Sequence, residues 1–226
     1  MKFTPEFGLW YSADSSLVLV GFSDADFGGC RLDRKSTSGT CQFLGTSLVS
    51  WSSRKQASVA LSSTEAEYVA AASCCSQILW MKQTLQDYGL SFGRVPIFVD
   101  NMSAISIAKN PVLHSRTKHI DIRFHFLRDN HERGHIDLIH VPSERQTADI
   151  LTKPLEQDTF ARLRGELGVC YPFWSLTFVL VSLVGLCFAS LGFLGLVVAL
   201  CICIVHVCIL HCLTCTSILV YIAMIF

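Results

Sequence analysis

The hydrophobic and polar positions predict alternating strands and helices along the chain up to Gly168. Residues 17–24 (LVLVGFSD) form an apolar run that ends in polar residues, which is typical of a buried strand that opens at a site. The stretches 40–44 and 47–53 predict two more short strands, separated by a Gly-Thr turn. Because short turns join these three strands, we expect them to be antiparallel.

A long helix is predicted from Ser62 to about Gly89. Hydroxyl residues precede it, acids occupy its first turn, and apolar residues recur at every third or fourth position, so one face should pack on a sheet. A strand, a short helix, a longer helical stretch, a strand and a short helix follow at residues 95–100, 101–110, 117–132, 135–141 and 144–155. This order predicts an α/β fold with a mixed sheet and right-handed crossovers.

The charges separate a head from a tail. The chain has 226 residues with 18 basic and 18 acidic side chains, and the last of these is Glu166. The head has the composition of a soluble domain, which excludes disorder. Because it is not strongly basic, any nucleic-acid surface on it must be a local patch. Residues 171–226 are uncharged and long enough for one or two transmembrane helices. We expect a cytosolic head. The favoured origin of the tail is downstream sequence translated past an ancestral stop, and the resulting peptide is hydrophobic enough to insert into a membrane or to aggregate.

Two metal-like patterns are better explained without a metal. His131 to His135 match the HExxH pattern of zinc proteases, but Gly134 lies inside it and should end the helix that the pattern needs. The cysteines and histidine at 208–215 have loosely zinc-like spacing within an apolar run. We interpret the first as a chance match and the second as packed thiols with an interfacial histidine.

Four acidic residues stand at the ends of predicted elements: Asp24, Glu67, Asp100 and Asp149. Ligands of open α/β folds bind beyond the strand ends, so the topology can bring these side chains together. A cluster of four acids needs cations, and oxygen ligands favour Mg²⁺ or Mn²⁺. Two such ions can activate a water and stabilise the leaving oxygen of a phosphodiester. The spacing alone fits four solvated surface acids equally well.

Seven ordered motifs carry a family resemblance that extends over residues 15–168. They are FSDADFGG (22–29), DRKSTSGTCQFLG (33–45), SWSSRKQ (50–56), SSTEAEYVA (62–70), VDNMSAISIAKNP (99–111), RTKHIDIRFHFLRD (116–129) and QTADILTKPL (146–155). Together they closely resemble the ribonuclease H region of copia-type retrotransposon Pol polyproteins. The resemblance implies a ribonuclease H-like domain at 15–156, with a mixed five-stranded sheet of three antiparallel strands followed by strands alternating with helices. Residues 1–14 would be a remnant of the polymerase connection, 157–170 a linker and 171–226 the hydrophobic tail.

The resemblance also implies an activity. It implies hydrolysis of the RNA strand of RNA:DNA hybrids during reverse transcription, with two Mg²⁺ ions that Mn²⁺ can replace. The implied partners are the hybrid and, ancestrally, the reverse transcriptase domain of the same polyprotein in a virus-like particle. The alternative is a catalytically idle fragment that binds hybrid or inserts into a membrane.

The family's four catalytic and metal-binding acids correspond by resemblance to Asp24, Glu67, Asp100 and Asp149. Asp26 is then a structural neighbour. The family pattern favours Glu67 over Glu65, and Glu65 suits the start of the helix, where a carboxylate is stabilising.

The loop before the last acid departs from the pattern of cellular ribonucleases H. Those enzymes carry a histidine in it, whereas this chain reads VPSERQTAD. His140 precedes the loop, but the strand pattern around it favours a structural role. The proton-transfer role is therefore unassigned.

Five basic residues near the first strands are candidate contacts to the nucleic-acid backbone: Arg31, Arg34, Lys35, Arg54 and Lys55. Hybrid recognition uses phosphates of the DNA strand and 2′-hydroxyls of the RNA strand. Solvated charged turns are the alternative explanation.

Overall fold

The computed structural model describes residues 6–12, 16–110 and 118–171, which belong to two compact units. The smaller unit pairs β1 (Gly8–Leu9) with β7 (Val169–Cys170) in antiparallel fashion. The predicted transmembrane helices of the tail lie outside the described residues, which end at Tyr171. Within the described ranges, no helix combines the length and apolar character needed to cross a bilayer.

The larger unit, Ser16–Leu167, contains a five-stranded sheet in the order β4-β3-β2-β5-β6. Its strands are β2 (Leu19–Asp26), β3 (Thr37–Leu44), β4 (Ser47–Lys55), β5 (Val95–Val99) and β6 (Ile136–His140). The first three are antiparallel, while β5 is parallel to both β2 and β6. The expected mixed five-stranded sheet of a ribonuclease H-like α/β fold is therefore confirmed.

The described part of this unit contains four α-helices: α1 (Ser63–Asp87), α2 (Met102–Lys109), α3 (Phe126–Glu132) and α4 (Gln157–Glu166). The Ser62 side chain accepts a hydrogen bond from the Glu65 N–H and so caps α1. Helix α1 packs across β2 at Gly21, where a Cβ atom would lie 2.6 Å from Ile78 and 2.8 Å from the Cys74 sulfur. Glycine at this position thus permits the close helix–sheet contact.

The core between α1 and the sheet is apolar. Its largest fully buried side chains include Leu19, Tyr68, Ile78, Ile97, Leu127, Ile136 and Leu138. Cys41, Cys74 and Cys75 are buried free thiols that pack as small hydrophobic side chains.

The predicted helix at 144–155 is replaced by two 3-10 turns, Ser143–Arg145 and Thr147–Leu151. The Gln146 side chain lies between them and accepts a hydrogen bond from the Ala148 N–H at 3.3 Å. This local bond favours a turn over a continuous α-helix.

Two other segments also differ from the expectation. The predicted linker at 157–170 contains α4, whose Leu163 is buried and whose Arg162 donates to the Glu144 carbonyl at 2.6 Å. The helical stretch expected at 117–132 forms a 3-10 turn at Ile122–Phe124 before α3 begins. Asp121 accepts a hydrogen bond from the Arg123 N–H and starts that turn.

Candidate active site

Three of the four predicted acids meet at one end of the sheet. Carboxylate oxygens of Asp24, Glu67 and Asp100 all lie within 4.8 Å of one another. Asp24 is near the end of β2, Asp100 follows β5 directly, and Glu67 is in the first turns of α1. The parallel pairing of β2 with β5 brings their carboxyl ends together, and the start of α1 lies above them.

Glu67 is buried, and only one of its two carboxylate oxygens has a hydrogen-bond partner among the described residues. Its Oε1 accepts a hydrogen bond from the Ala25 N–H at 3.0 Å, whereas its buried Oε2 has no hydrogen-bond partner in the described part of the chain. Burial, followed by the charges of Asp24 and Asp100, raises the pKa of Glu67 to about 9. A buried oxygen without a donor, facing two other carboxylates, suits a cation.

Asp24 is also buried, and burial is the main reason why its pKa rises to about 7. The Thr152 hydroxyl donates a hydrogen bond to Asp24 Oδ2, which acts in the opposite direction. The charges of Asp149 and Asp100 raise this pKa further. Without cations, the cluster therefore favours protonated carboxyls, and an oxygen-ligated divalent ion would reverse that preference.

Asp149 lies in the 3-10 turn Thr147–Leu151, close enough for its charge to raise the pKa of Asp24. It is not part of the three-residue group within 4.8 Å. Its Oδ1 instead forms an ion pair with Lys153 Nζ at 2.9 Å. The fourth predicted acid is thus beside the cluster, with its own cationic partner.

Three supporting residues were not identified from the sequence. Thr152 contacts Asp24, Lys153 contacts Asp149, and the Ser143 hydroxyl donates to Asp100 Oδ2 at 2.9 Å. Lys153 follows Asp149 by four positions, which is a weak signal for a helical ion pair. The contacts of Ser143 and Thr152 depend on tertiary structure, so the local sequence pattern does not predict them.

The five predicted nucleic-acid contacts occupy the acidic end of the sheet. Arg31, Arg34 and Lys35 lie in the turn after β2, and Arg54 and Lys55 end β4. Register places Lys55 opposite Thr37, which is itself opposite Asp26. Lys55 forms an ion pair with Asp33 at 3.1 Å, whereas Arg54 lines a polar groove between β4 and α1. Their role in binding remains a prediction.

Glu65 has the predicted role at the start of α1. Its Oε2 accepts a hydrogen bond from the Leu61 N–H at 2.8 Å, and His119 Nε2 lies 3.5 Å from the same oxygen. Its carboxylate therefore contacts different groups from that of Glu67. This difference supports the choice of Glu67 for the acidic cluster.

The HExxH match does not form a zinc-protease site. Helix α3 ends at Glu132, and Gly134 has a φ of +74°, so His131 and His135 are not on one helix. His131 Nε2 instead lies 3.3 Å from Asp137 Oδ1. The interpretation as a chance match is consistent with this arrangement.

Comparison with sequence relatives shows to which family the chain is related. The chain is 41% identical over 167 residues to the "Retrovirus-related Pol polyprotein from transposon RE1" of Arabidopsis thaliana, covering 74% of this chain and 11% of the relative. It is 36% identical over 155 residues to the corresponding polyprotein from transposon TNT 1-94 of Nicotiana tabacum, covering 69% of this chain and 12% of that relative. The chain thus spans about a ninth of the length of the curated relatives it matches. No protein-family model matches it.

Among solved structures, LC11-RNase H1, isolated from compost, aligns with a TM-score of 0.43 and 16% identity, covering 65% of this chain and 97% of that one. The chain is homologous to retrovirus-related Pol polyproteins of copia-type transposons. Its matched region is their ribonuclease H part.

Proposed function

We propose that the head is a metal-dependent ribonuclease that cleaves the RNA strand of RNA:DNA hybrids. One observation carries the proposal: carboxylate oxygens of Asp24, Glu67 and Asp100 lie within 4.8 Å of one another, and a buried oxygen of Glu67 lacks a donor among the described residues. Such an arrangement is unfavourable for ionised acids unless cations bind. Homology to the ribonuclease H part of Pol polyproteins supports the same activity.

Asp24, Glu67, Asp100 and Asp149 are the residues that would hold two Mg²⁺ ions, and Mn²⁺ could replace these. When bound, such ions supply an activated water and stabilise the charge of the leaving oxygen. The protein's own contribution is to hold the carboxylates in place. Thr152 orients Asp24, Ser143 orients Asp100, and the Ala25 N–H orients Glu67.

The proposed substrate is the hybrid, bound across the acidic end of the sheet. Arg31, Arg34, Lys35 and Arg54 are suited to contact phosphates because they are charged and lie at the same end of the sheet as Asp24. Lys55 would first have to leave its ion pair with Asp33. We also propose the reverse transcriptase domain of a parent polyprotein as a partner, since the chain matches about a ninth of its relatives.

The test is cleavage of a labelled RNA:DNA hybrid by the full chain, kept in solution with mild detergent, with Mg²⁺, Mn²⁺ or chelator. Asp24→Asn is expected to abolish cleavage while the protein stays folded. Asp26→Asn is the matched control, because Asp26 lies two residues further along β2 and outside the acidic group. Full activity of Asp24→Asn would overturn the site.

The alternative is a catalytically idle fragment. Wild-type protein that binds hybrid on filters in saturating Mg²⁺ without cutting it would select this alternative. Cleavage of the RNA strand, lost with chelator and with Asp24→Asn, would reject it.

A further inference from the structure

The Gln146 side chain connects three parts of the acidic site. It is fully buried, and its Nε2 donates to the Ser23 carbonyl at 2.9 Å and to the Phe98 carbonyl at 3.5 Å. Its Oε1 accepts from the Ala148 N–H at 3.3 Å. One amide thus contacts β2, β5 and the turn that carries Asp149.

The position of these carbonyls matters for the acids. Ser23 directly precedes Asp24, and Phe98 lies two residues before Asp100. The pairing of β2 with β5 involves Gly21 with Ile97 and Phe22 with Phe98. Beyond that pair, the hydrogen bonds of Gln146 to the Ser23 and Phe98 carbonyls join the two strand ends.

The third hydrogen bond extends the link to Asp149. Ala148 directly precedes Asp149, and the turn Thr147–Leu151 is otherwise a short 3-10 segment with little intrinsic stability. The same turn is followed by Thr152, which contacts Asp24. A shift of Gln146 would therefore change the spacing of Asp24, Asp100 and Asp149 together.

We propose that Gln146 is a positioning residue for divalent-ion binding, acting by fixing the distance between the β2 and β5 carboxylates and the Asp149 turn. The inference rests on the proposed function for the identity of the ligand. Residues that orient metal-binding groups typically contribute about 10–100-fold to metal affinity or activity. We expect Gln146→Met, which keeps the size and removes all three hydrogen bonds, to weaken ion binding by about that factor.

The chain offers a matched control in Gln42. This residue is also fully buried, but its amide donates to the Cys74 sulfur at 3.4 Å, opposite Gly21 and away from the acids. Gln42→Met also removes a buried amide from the interior, but that amide makes one bond to sulfur and its buried Oε1 has no hydrogen-bond partner among the described residues, so we expect a smaller loss of stability than for Gln146→Met. Gln42→Met should leave ion binding unchanged.

The experiment measures Mn²⁺ binding to the full-length wild type, Gln146→Met and Gln42→Met by electron paramagnetic resonance, below the melting temperature of each. Hybrid cleavage is measured in parallel as a function of Mg²⁺ concentration. Weaker Mn²⁺ binding and a higher Mg²⁺ requirement in Gln146→Met alone would support the proposal. Equal changes in both variants would overturn it, since that would be a general packing effect.

If Gln146→Met does not fold, Gln146→Asn tests the proposal in its place. This variant keeps the amide, but its side chain is one methylene too short to reach both carbonyls. Unchanged Mn²⁺ affinity in this folded variant would overturn the proposal. The two proposals also fail separately. If the wild type binds Mn²⁺ but does not cleave hybrid, the proposed ribonuclease activity alone is rejected. If the wild type does not bind Mn²⁺, both the activity and the role of Gln146 are rejected.

Discussion

Gly39 lies directly opposite Asp24 in the antiparallel pair of β2 and β3, and its missing side chain leaves space for Thr152, which contacts Asp24. A Cβ atom at Gly39 would be 2.5 Å from Thr152 Cγ2 and 2.9 Å from the Ala148 carbonyl oxygen. The turn that carries Asp149 can therefore pack beside Asp24 only because position 39 is glycine.

Gly39→Ala is expected to displace that turn, lower hybrid cleavage and reduce stability by about 1–3 kcal/mol through overpacking. Cleavage assays and urea unfolding would measure both effects. Gly93→Ala is the control, since a Cβ there would have no neighbour within 4 Å. Wild-type activity in Gly39→Ala would mean that the turn can move without disturbing Asp24.

The strand ends and the start of α1 could be predicted because their signals are local. An apolar run ending at Asp24, another ending at Asp100 and a serine cap before Glu67 identify three acids at the ends of elements. The parallel order of β2 and β5 then requires these acids to meet. The family resemblance chose Glu67 over Glu65, which the pattern alone could not do.

The surroundings of Asp149 could not be predicted in the same way. Gln146 makes its bonds to strands more than forty residues away, so the local sequence still suggested an α-helix. Helix α4 was missed because QDTFARLRGE is mostly polar and Leu163 is its one buried residue. Its contact to the rest of the domain includes the Arg162 bond to the Glu144 carbonyl.

Neutralising Glu67 should stabilise the ion-free protein. The folded-state pKa is raised from 4.5 to about 9, so the folded protein retains a proton that the unfolded chain releases. Stability therefore falls as pH rises between these two values. We expect Glu67→Gln to be more stable than wild type by about 1–3 kcal/mol at pH 7, with the difference vanishing below about pH 4.5.

Urea unfolding with chelator at several pH values tests this prediction. Glu65→Gln is the control, because Glu65 accepts a hydrogen bond from the Leu61 N–H and contacts His119. That variant should gain no stability at neutral pH. A constant difference between Glu67→Gln and wild type at every pH would contradict the assigned burial and repulsion.

The positive charge of Lys153 should partly compensate the negative charges of the acidic residues. Lys153 contacts Asp149, and its charge lowers the pKa of both Asp24 and Glu67. Lys153→Met is expected to reduce the stability of ion-free protein by about 0.5–1 kcal/mol, a modest value because the lysine is partly exposed. Mn²⁺ should then raise the melting temperature of this variant more than that of wild type, since a less compensated site binds cations better.

Lys109→Met is the control for Lys153, because Lys109 forms an ion pair of similar length, 3.2 Å, with Asp137. It should lose stability without any change in the response to Mn²⁺. Equal Mn²⁺ responses in all three proteins would show that Lys153 does not compensate the acidic group.

Arg54 should contact the hybrid backbone. It is exposed at the end of β4, at the same end of the sheet as Asp24. Arg54→Ala is expected to reduce the slope of log affinity against log salt concentration by about one, as for the loss of one phosphate contact. Fluorescence anisotropy with labelled hybrid and chelator, which prevents cleavage, would measure the slope.

Arg94→Ala provides the comparison for Arg54. Arg94 is also exposed, but it precedes β5 and so lies at the end of that strand opposite to Asp100. Its removal should leave the salt slope at the wild-type value. If Arg54→Ala and Arg94→Ala both gave the wild-type slope, Arg54 would be a solvated side chain and not a contact to the hybrid backbone.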